Sequence, residues 1–397
     1  MSFKFRGVIP ASKSSFNRAL IIKSFNKSIE LKGEAECDDI QKMKAAISNL
    51  IHNQTEFDCG EAGTVLRFLA LRVSREKGTF KLTGKSRLFK RPQKELQLIL
   101  NQLGVESSFT EDAMLITSSG WQIPSTPLKV SAKDSSQFLS GVVLSSWNLP
   151  QKLQIEISSQ EMVSESYFNL TLKLMKSFGY HSDVNLEKKI IVIEPHQVPE
   201  TLSFQVESDL SSAFAVAALA AIDGSACLES FPFDSSQPDL VFIELLKNMG
   251  VECEKMGSNL VIKKPLSSLK SISVNLKESP DLFPVLCAIA SSANGCSHFY
   301  GAPHLRFKES DRIAEVIKIL TPLGIHCEAL EDGAKINITP PSKINLTNPI
   351  ILDAKDDHRL VMMGAVLKSL GHKIQIINTH SVNKSFPEFL KIAAEFL

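Results

Sequence analysis

The chain has almost no net charge: 44 Lys and Arg oppose 43 Asp and Glu, a formal +1 over 397 residues. A broad nucleic-acid surface is thereby excluded, because binding a phosphate backbone needs a clear Lys/Arg excess. Any positive charge that matters must be local. There is no CxxC pair either. The seven cysteines, at 37, 59, 227, 253, 287, 296 and 327, are scattered and have no His-rich spacing beside them, so no metal site is expected. An odd number of dispersed thiols reads as reduced cysteines in a cytoplasmic protein. No apolar stretch approaches the roughly 20 residues that cross a bilayer. The first residues lack the pattern of a signal peptide; Phe3, Phe5 and Val8 alternate like a first strand instead. Neither GxGxxG nor a P-loop occurs, so no cofactor is expected. What remains is a cytoplasmic protein with small-molecule partners, no nucleic acid and no membrane, long enough for two domains.

Against these absences stands a repeat. Six stretches pass from a short β-branched run through a polar turn into a helix of small apolar residues: "FKFRGVIPASKSSFNRALIIKSF", "TEFDCGEAGTVLRFLALRV", "LKVSAKDSSQFLSGVVLSS", "LSFQVESDLSSAFAVAALAAI", "ISVNLKESPDLFPVLCAIASSA" and "IILDAKDDHRLVMMGAVLKSL". Each has Ser, Asp, Thr or Pro where the helix should begin. Helices apolar on every face should be buried. A second, amphipathic type alternates with them: "LQLILNQLGV", "LTLKLMKSFGY", "FIELLKNMGV" and "IKILTPLGI". Each of these ends on a glycine, at 104, 179, 250 and 324, placed as a C′ residue with positive φ. The pattern predicts an α/β fold of six βα units in two globular halves, with an ordinary doubly wound sheet as the alternative.

The chemistry gathers where the buried helices start. Free N–H groups and the positive dipole end make such positions anion sites. The six starts offer Lys13, Ser14 and Arg18; Gly63, Thr64 and Arg67; Ser135, Ser136 and Gln137; Asp209; Asp281; and Asp357, His358 and Arg359. Between them lie "SRLFKRP" with Arg87, Lys90 and Arg91, "VSESY" with Ser164 and Tyr167, "RFKESDR" with Arg306, Lys308, Glu309 and Arg312, and "NKSFP" with Lys384. Singly, each is read as a helix cap, a surface cation or a solvated helix face with an i,i+3 pair. Their recurrence at equivalent positions points instead to a site rich in cations with a few acids. Several arginines together call for substrates with more than one anionic group. Isolated acids among them, Asp281 and Glu309, are poised for proton transfer.

These motifs, in this order and approximate spacing from about residue 5 to the C-terminus, closely resemble the enolpyruvyl transferase family of 3-phosphoshikimate 1-carboxyvinyltransferases, the EPSP synthases. The resemblance implies a two-domain inside-out α/β barrel of six βαβαββ repeats. One domain would comprise residues 1–12 and 207–397 and the other 13–206, with the active site in the cleft between them. It also implies transfer of the enolpyruvyl group of phosphoenolpyruvate to the 5-hydroxyl of 3-phosphoshikimate by a monomer. Carried over position by position, Lys13, Ser14, Arg18, Ser135, Ser136, Gln137, Ser164, Asp281, His304 and Lys308 are similar to the 3-phosphoshikimate contacts. Lys13, Gly63, Arg87, Gln137, Arg312, His358, Arg359 and Lys384 are similar to the phosphoenolpyruvate contacts. Asp281, Glu309 and Lys13 take the catalytic roles. The chain departs from the family pattern at Glu61 and His304, where Asn is usual, at Ala11 in place of Gly, and in "SES" in place of "SKP". Glu61 is thus expected to place a carboxylate beside the anion site unless an arginine pairs it. Two alternatives stay open: the sister enzyme acting on UDP-N-acetylglucosamine, whose reactive loop cysteine has no counterpart in "GKSRLFKRPQ", and a non-catalytic anion-binding protein on the same fold.

Overall fold

Small apolar residues remove any reason for a helix face to meet water, and the six expected helices are buried accordingly. The computed structural model describes residues 2–337 and 348–397. Met1 and residues 338–347, which fall in the expected domain of 1–12 and 207–397, lie outside the described residues. Two compact units emerge, one of Met1–Pro10 with Ser208–Leu397 and one of Ala11–Glu207. In the first unit the helices Leu210–Asp223, Phe283–Ala290 and His358–Ser369 pack on one another, Phe283–Ala290 being buried at every residue. In the second, Lys13–Lys23, Gly63–Val73 and Gln137–Leu144 do the same. Close approach there requires Gly141: a Cβ at that position would stand 2.6 Å from Leu71 Cδ1. Each trio carries its own apolar core.

Sheets wrap these helices with one recurring order. Glu56–Asp58 runs parallel to Lys77–Thr83 with the Gly63–Val73 helix as the crossover between them. Ala113–Ser119 then pairs antiparallel with Lys77–Thr83, and Glu106–Phe109 antiparallel with Ala113–Ser119. Three further four-stranded sheets repeat this order of one parallel and two antiparallel pairings. The other two sheets are parallel pairs only, Glu30–Lys32 with Ser203–Gln205 and Ile350–Asp353 with Ile374–Ile377. Among the described residues, neither carries the antiparallel hairpin of a full βαβαββ unit. After the Asp38–Ile51 helix the chain runs straight into Glu56–Asp58, and after Ile374–Ile377 it forms 3-10 turns and the short Phe389–Ile392 helix.

The first strand is Phe3–Gly7; Val8, expected to continue its alternation, lies beyond the strand and is exposed. The strand adds to Gly224–Leu228, so residues 3–7 belong with the C-terminal half of the chain. At the two passages between units, Asp209 N donates to Pro10 O in one unit and Ser12 N to Glu207 O in the other.

The four C′ glycines have φ of 72°, 88°, 94° and 77°. The N–H groups of Val105, Tyr180, Val251 and Ile325 reach back to the carbonyls of Leu100, Met175, Leu246 and Leu320, the 6→1 bond of a Schellman stop. At the fourth, Pro322 cannot donate in the ladder, and the last turn tightens to the 3-10 segment Thr321–Leu323 before Gly324. All six helix starts carry the expected Ser, Asp, Thr or Pro at the N-cap or in the first turn, but only half use it as a side-chain cap. Ser12, Asp209 and Asp357 cap with their side chains, whereas Ala62, Ser136 and Leu282 make no side-chain cap bond. The N–H groups of those three first turns are therefore left to other partners.

Candidate functional site

In the Ala11–Glu207 unit the chemistry centres on a buried cation. Arg18 lies on the Lys13–Lys23 helix only 2% exposed, its guanidinium 5.2 Å from the Phe68 ring centroid. Nε donates to Thr171 Oγ1 at 2.8 Å, Nη1 to Ser14 O at 2.8 Å and Nη2 to Tyr167 O at 3.3 Å. All three acceptors are neutral, and no carboxylate pairs with Arg18 among the described residues. Burial pushes its pKa down to about 10, which still leaves it charged at neutral pH. A charge taken out of water without a counterion is costly. Such a position makes sense if a ligand brings the anion.

The neighbouring helix starts line up polar groups around this cation's unit. Ser136 Oγ donates to Ser164 O at 3.0 Å. Ser164 itself takes a left-handed backbone (φ 53°) at the head of the Glu165–Ser177 helix, which costs a non-glycine residue about 1 kcal/mol or more. Arg67 Nη1 donates to Gln137 Oε1 at 2.9 Å and Ser135 Oγ at 3.3 Å, and Gln137 Nε2 donates to Thr64 Oγ1 at 3.0 Å. Arg67 thus links two of the uncapped helix starts. Lys13 is the first residue of its helix, with Nζ 3.0 Å from Asp39 Oδ2. Gly63 leaves room for Arg91, whose Nη1 stands 2.8 Å from where a Cβ would be. Arg87 is exposed on the short Ser86–Lys90 helix. Glu61, expected to stand beside the anion site as a carboxylate unless an arginine paired it, is paired by Lys85.

The other unit holds a denser network. Arg312, 1% exposed, donates through Nε to Asp357 Oδ2 at 2.9 Å, through Nη1 to Asp281 Oδ1 at 2.8 Å and through Nη2 to Glu309 Oε2 at 3.1 Å. Three carboxylates raise its pKa against the opposing effect of burial. Arg359 Nη2 reaches Asp281 Oδ2 at 3.4 Å and Ser211 Oγ at 2.5 Å, and Lys308 Nζ stands 4.0 Å from Asp281 Oδ1. Burial works against ionising Asp281, yet Lys308, Arg359 and Arg312 together hold its carboxyl well below the usual carboxylate range. The "KESDR" segment is no solvated face: Ser310 Oγ donates to Asp357 Oδ2 at 2.8 Å, and Asp311 caps the Arg312–Leu320 helix by accepting from Ala314 N. His358, buried, opens the His358–Ser369 helix. Lys384 Nζ donates to Asp356 O at 2.6 Å.

His304 is buried, and neither ring nitrogen has a hydrogen-bond partner among the described residues. Burial, then Lys308 and Arg312, push its pKa down to about 3, although Asp281 pulls the other way. An unfolded histidine titrates near 6.5. Between pH 6.5 and about 3 the unfolded chain therefore binds a proton that the folded one refuses, and stability falls as pH drops through that window. His304→Asn is expected to reduce the loss by roughly 1 kcal/mol per pH unit, read from urea unfolding at pH 6, 5 and 4. Parallel stability curves for the two proteins would contradict this.

Thr171, Ser211, Asp39 and the anchoring role of Asp357 were not legible as site residues in the sequence. Thr171 and Ser211 are hydroxyls among dozens, and only the packing of helices distant in the chain brings them to Arg18 and Arg359. Asp357 stood out only as a helix start.

The EPSP synthase (3-phosphoshikimate 1-carboxyvinyltransferase) family model matches residues 36–392. A 3-phosphoshikimate 1-carboxyvinyltransferase of Pyrococcus abyssi is 31% identical, the match covering 96% of this chain and 92% of the relative. One from Methanocorpusculum labreanum is 29% identical over 96% and 93% of the two chains. Among solved structures, an EPSP synthase from Acinetobacter baumannii superposes with a TM-score of 0.76 at 23% identity, covering 100% of this chain and 96% of the other. The enolpyruvyl transferase NikO from Streptomyces tendae shares the fold with a TM-score of 0.71 at 13% identity, over 100% and 95% of the two chains.

Proposed function

The chain belongs to the EPSP synthase family and so transfers the enolpyruvyl group of phosphoenolpyruvate to the 5-hydroxyl of 3-phosphoshikimate in the shikimate pathway; we propose that its two units divide this chemistry between them. The Ala11–Glu207 unit binds the 3-phosphate on Ser14, Arg18, Ser135, Ser136, Gln137 and Ser164, and receives phosphoenolpyruvate at Gly63 and Arg87. The other unit supplies Asp281, His304 and Lys308 to the ring hydroxyls and Arg312, His358, Arg359 and Lys384 to phosphoenolpyruvate. Holding two mutually repelling anions on fixed cations converts a bimolecular step into a positioned one.

Asp281 takes the proton of the attacking hydroxyl as oxygen bonds to C2 of phosphoenolpyruvate, while Glu309 and Lys13 deliver a proton to the methylene carbon. The tetrahedral intermediate then loses phosphate, and the methyl carbon returns its proton to the same groups. Cations aimed at the phosphate and carboxylate stabilise the charge that develops. The low basicity of Asp281 before substrates arrive follows from the guanidiniums bound to it. Substrate anions compete for Arg312 and Arg359, and as they do so the carboxylate becomes a stronger base.

The finer architecture belongs to the same reading. Six βα segments, three to a unit, build a two-domain inside-out barrel that works as a monomer in the cytoplasm with no partners beyond its two substrates. The recurring strand order supports the repetition. The sister reaction on UDP-N-acetylglucosamine is disfavoured by Cys59: fully buried, its thiol is pushed far up by burial and is held protonated, unlike a reactive cysteine.

The buried, uncompensated Arg18 carries the proposal. Arg18→Met is expected to raise the KM for 3-phosphoshikimate roughly 100-fold, in keeping with loss of a charge-assisted contact, while the melting temperature stays level or rises. A coupled assay of phosphate release, with 3-phosphoshikimate and with UDP-N-acetylglucosamine as acceptors, tests both points. An unaltered KM would remove Arg18 from the phosphate site, and release with only the nucleotide sugar would overturn the substrate assignment.

A further inference from the structure

Glu61 stands immediately before Ala62, the N-cap of the Gly63–Val73 helix, where a carboxylate has an obvious alternative use. Ala62 offers no side-chain cap bond, so the first-turn N–H groups are open. They are the groups that the reading above assigns to an anionic substrate. A carboxylate beside them is a rival anion on a short tether, at an effective concentration of the order of millimolar or higher.

In the structure this carboxylate is paired. Glu61, with its side chain only 11% exposed, pairs with Lys85, whose side chain is 65% exposed. Backbone bonds set the lysine in place: Lys85 N donates to Gly60 O and Cys59 N to Thr83 O, each at 2.8 Å. Between them Gly84 admits no side chain, since its Cβ would stand 2.6 Å from Gly60 O. Asp58, the other acid of this turn, is handled in the same way. Lys42 pairs with it, and its Oδ1 accepts from Gly60 N at 2.8 Å. Both carboxylates flanking the turn are thus neutralised by lysines from neighbouring segments, and the turn keeps its positive end.

We propose that Lys85 determines the anion affinity of this site: by pairing with Glu61 it keeps that carboxylate off the start of the Gly63–Val73 helix and leaves the N–H groups there to phosphoenolpyruvate. The proposal rests on the assignment of phosphoenolpyruvate to Gly63 and Arg87. It makes an unusual demand on genetics. Losing the lysine is harmful only while the glutamate is present.

The test is the KM for phosphoenolpyruvate, at saturating 3-phosphoshikimate, of Lys85→Met, Lys85→Gln, Glu61→Gln, the Glu61→Gln/Lys85→Met pair and Arg87→Met. Both lysine variants are expected to raise KM about 10-fold with kcat within about twofold, as removal of a charge beside a binding site does. Glu61→Gln alone is expected to leave KM unchanged or lower, and the double variant to return to within about threefold of the parent. A double variant as weak as Lys85→Met, a rise in KM with Glu61→Gln alone, or lysine variants with the parental KM would each overturn the role of the pair. Arg87→Met separates this from the underlying assignment. If its KM is also unchanged, the site itself is misplaced; if it rises while the lysine variants are silent, only the pairing proposal fails.

Discussion

Asp281→Asn is expected to lower kcat by roughly 10²–10⁴-fold, the usual worth of a positioned general base, while the affinity for 3-phosphoshikimate shifts by no more than about tenfold. The fold should survive the change, because Arg312 keeps Asp357 and Glu309 as partners and the Asp281 side chain is 27% exposed. Isothermal titration of the variant with 3-phosphoshikimate, set beside turnover from phosphate release, separates the two effects. A variant that binds and turns over like the parent would take the base away from Asp281. The pH profile gives a second check. The cations around Asp281 keep it ionised well below the usual carboxylate range, so in the free enzyme its protonation cannot produce an acid limb in kcat/KM near pH 4 to 5. Any limb found there must belong to another group and must persist in Asp281→Asn at its residual rate.

Asp357→Ala should produce the largest loss of stability. Arg312 is 1% exposed and Asp357 is fully buried, and the carboxylate accepts from both Nε and Nη2. Its removal leaves Arg312 Nε buried without an acceptor, at about 1–3 kcal/mol for each buried donor so orphaned, even though Asp281 and Glu309 still face the guanidinium. Asp357 also accepts from Ser310 Oγ and, as a helix cap, from Arg359 N. For a unit of this size the melting temperature should fall by about 10 °C, observed by calorimetry as an earlier transition. Asp357→Asn, which retains an acceptor for the cap, should lose less. A melting temperature within about 2 °C of the parent in the alanine variant would show that Asp281 and Glu309 are enough to hold Arg312.

Both predictions concern charges that meet only in the folded chain, and they mark where sequence reading stopped. The buried helices were legible because "SSAFAVAALAAI" has no polar face to offer water, and burial of Leu210 to Ile222 follows from that alone. The stops were legible for a similarly local reason: a glycine after an amphipathic stripe can take positive φ, and all four do. The caps were legible in part. Ser12, Asp209 and Asp357 bond their own helix within three residues, a short-range event, whereas Ser136 turns its hydroxyl to Ser164, 28 residues further on. The repeat was legible as a period but not in its irregularity, since among the described residues two of the sheets lack the antiparallel hairpin.

Which residue types gather at the helix starts was thus decided by local chemistry, and a run of neighbours in the chain was enough to find them. Which charges compensate one another was decided by tertiary packing. Among the described residues Arg18 has no carboxylate, Arg312 has three, and Glu61 is paired by Lys85 across a turn. The reason is one of range. A cap or a C′ glycine is satisfied within one helical turn, but the energy of a charge depends on burial and on partners brought from 45 residues away, as with Asp357 and Arg312, or from 153, as with Thr171 and Arg18.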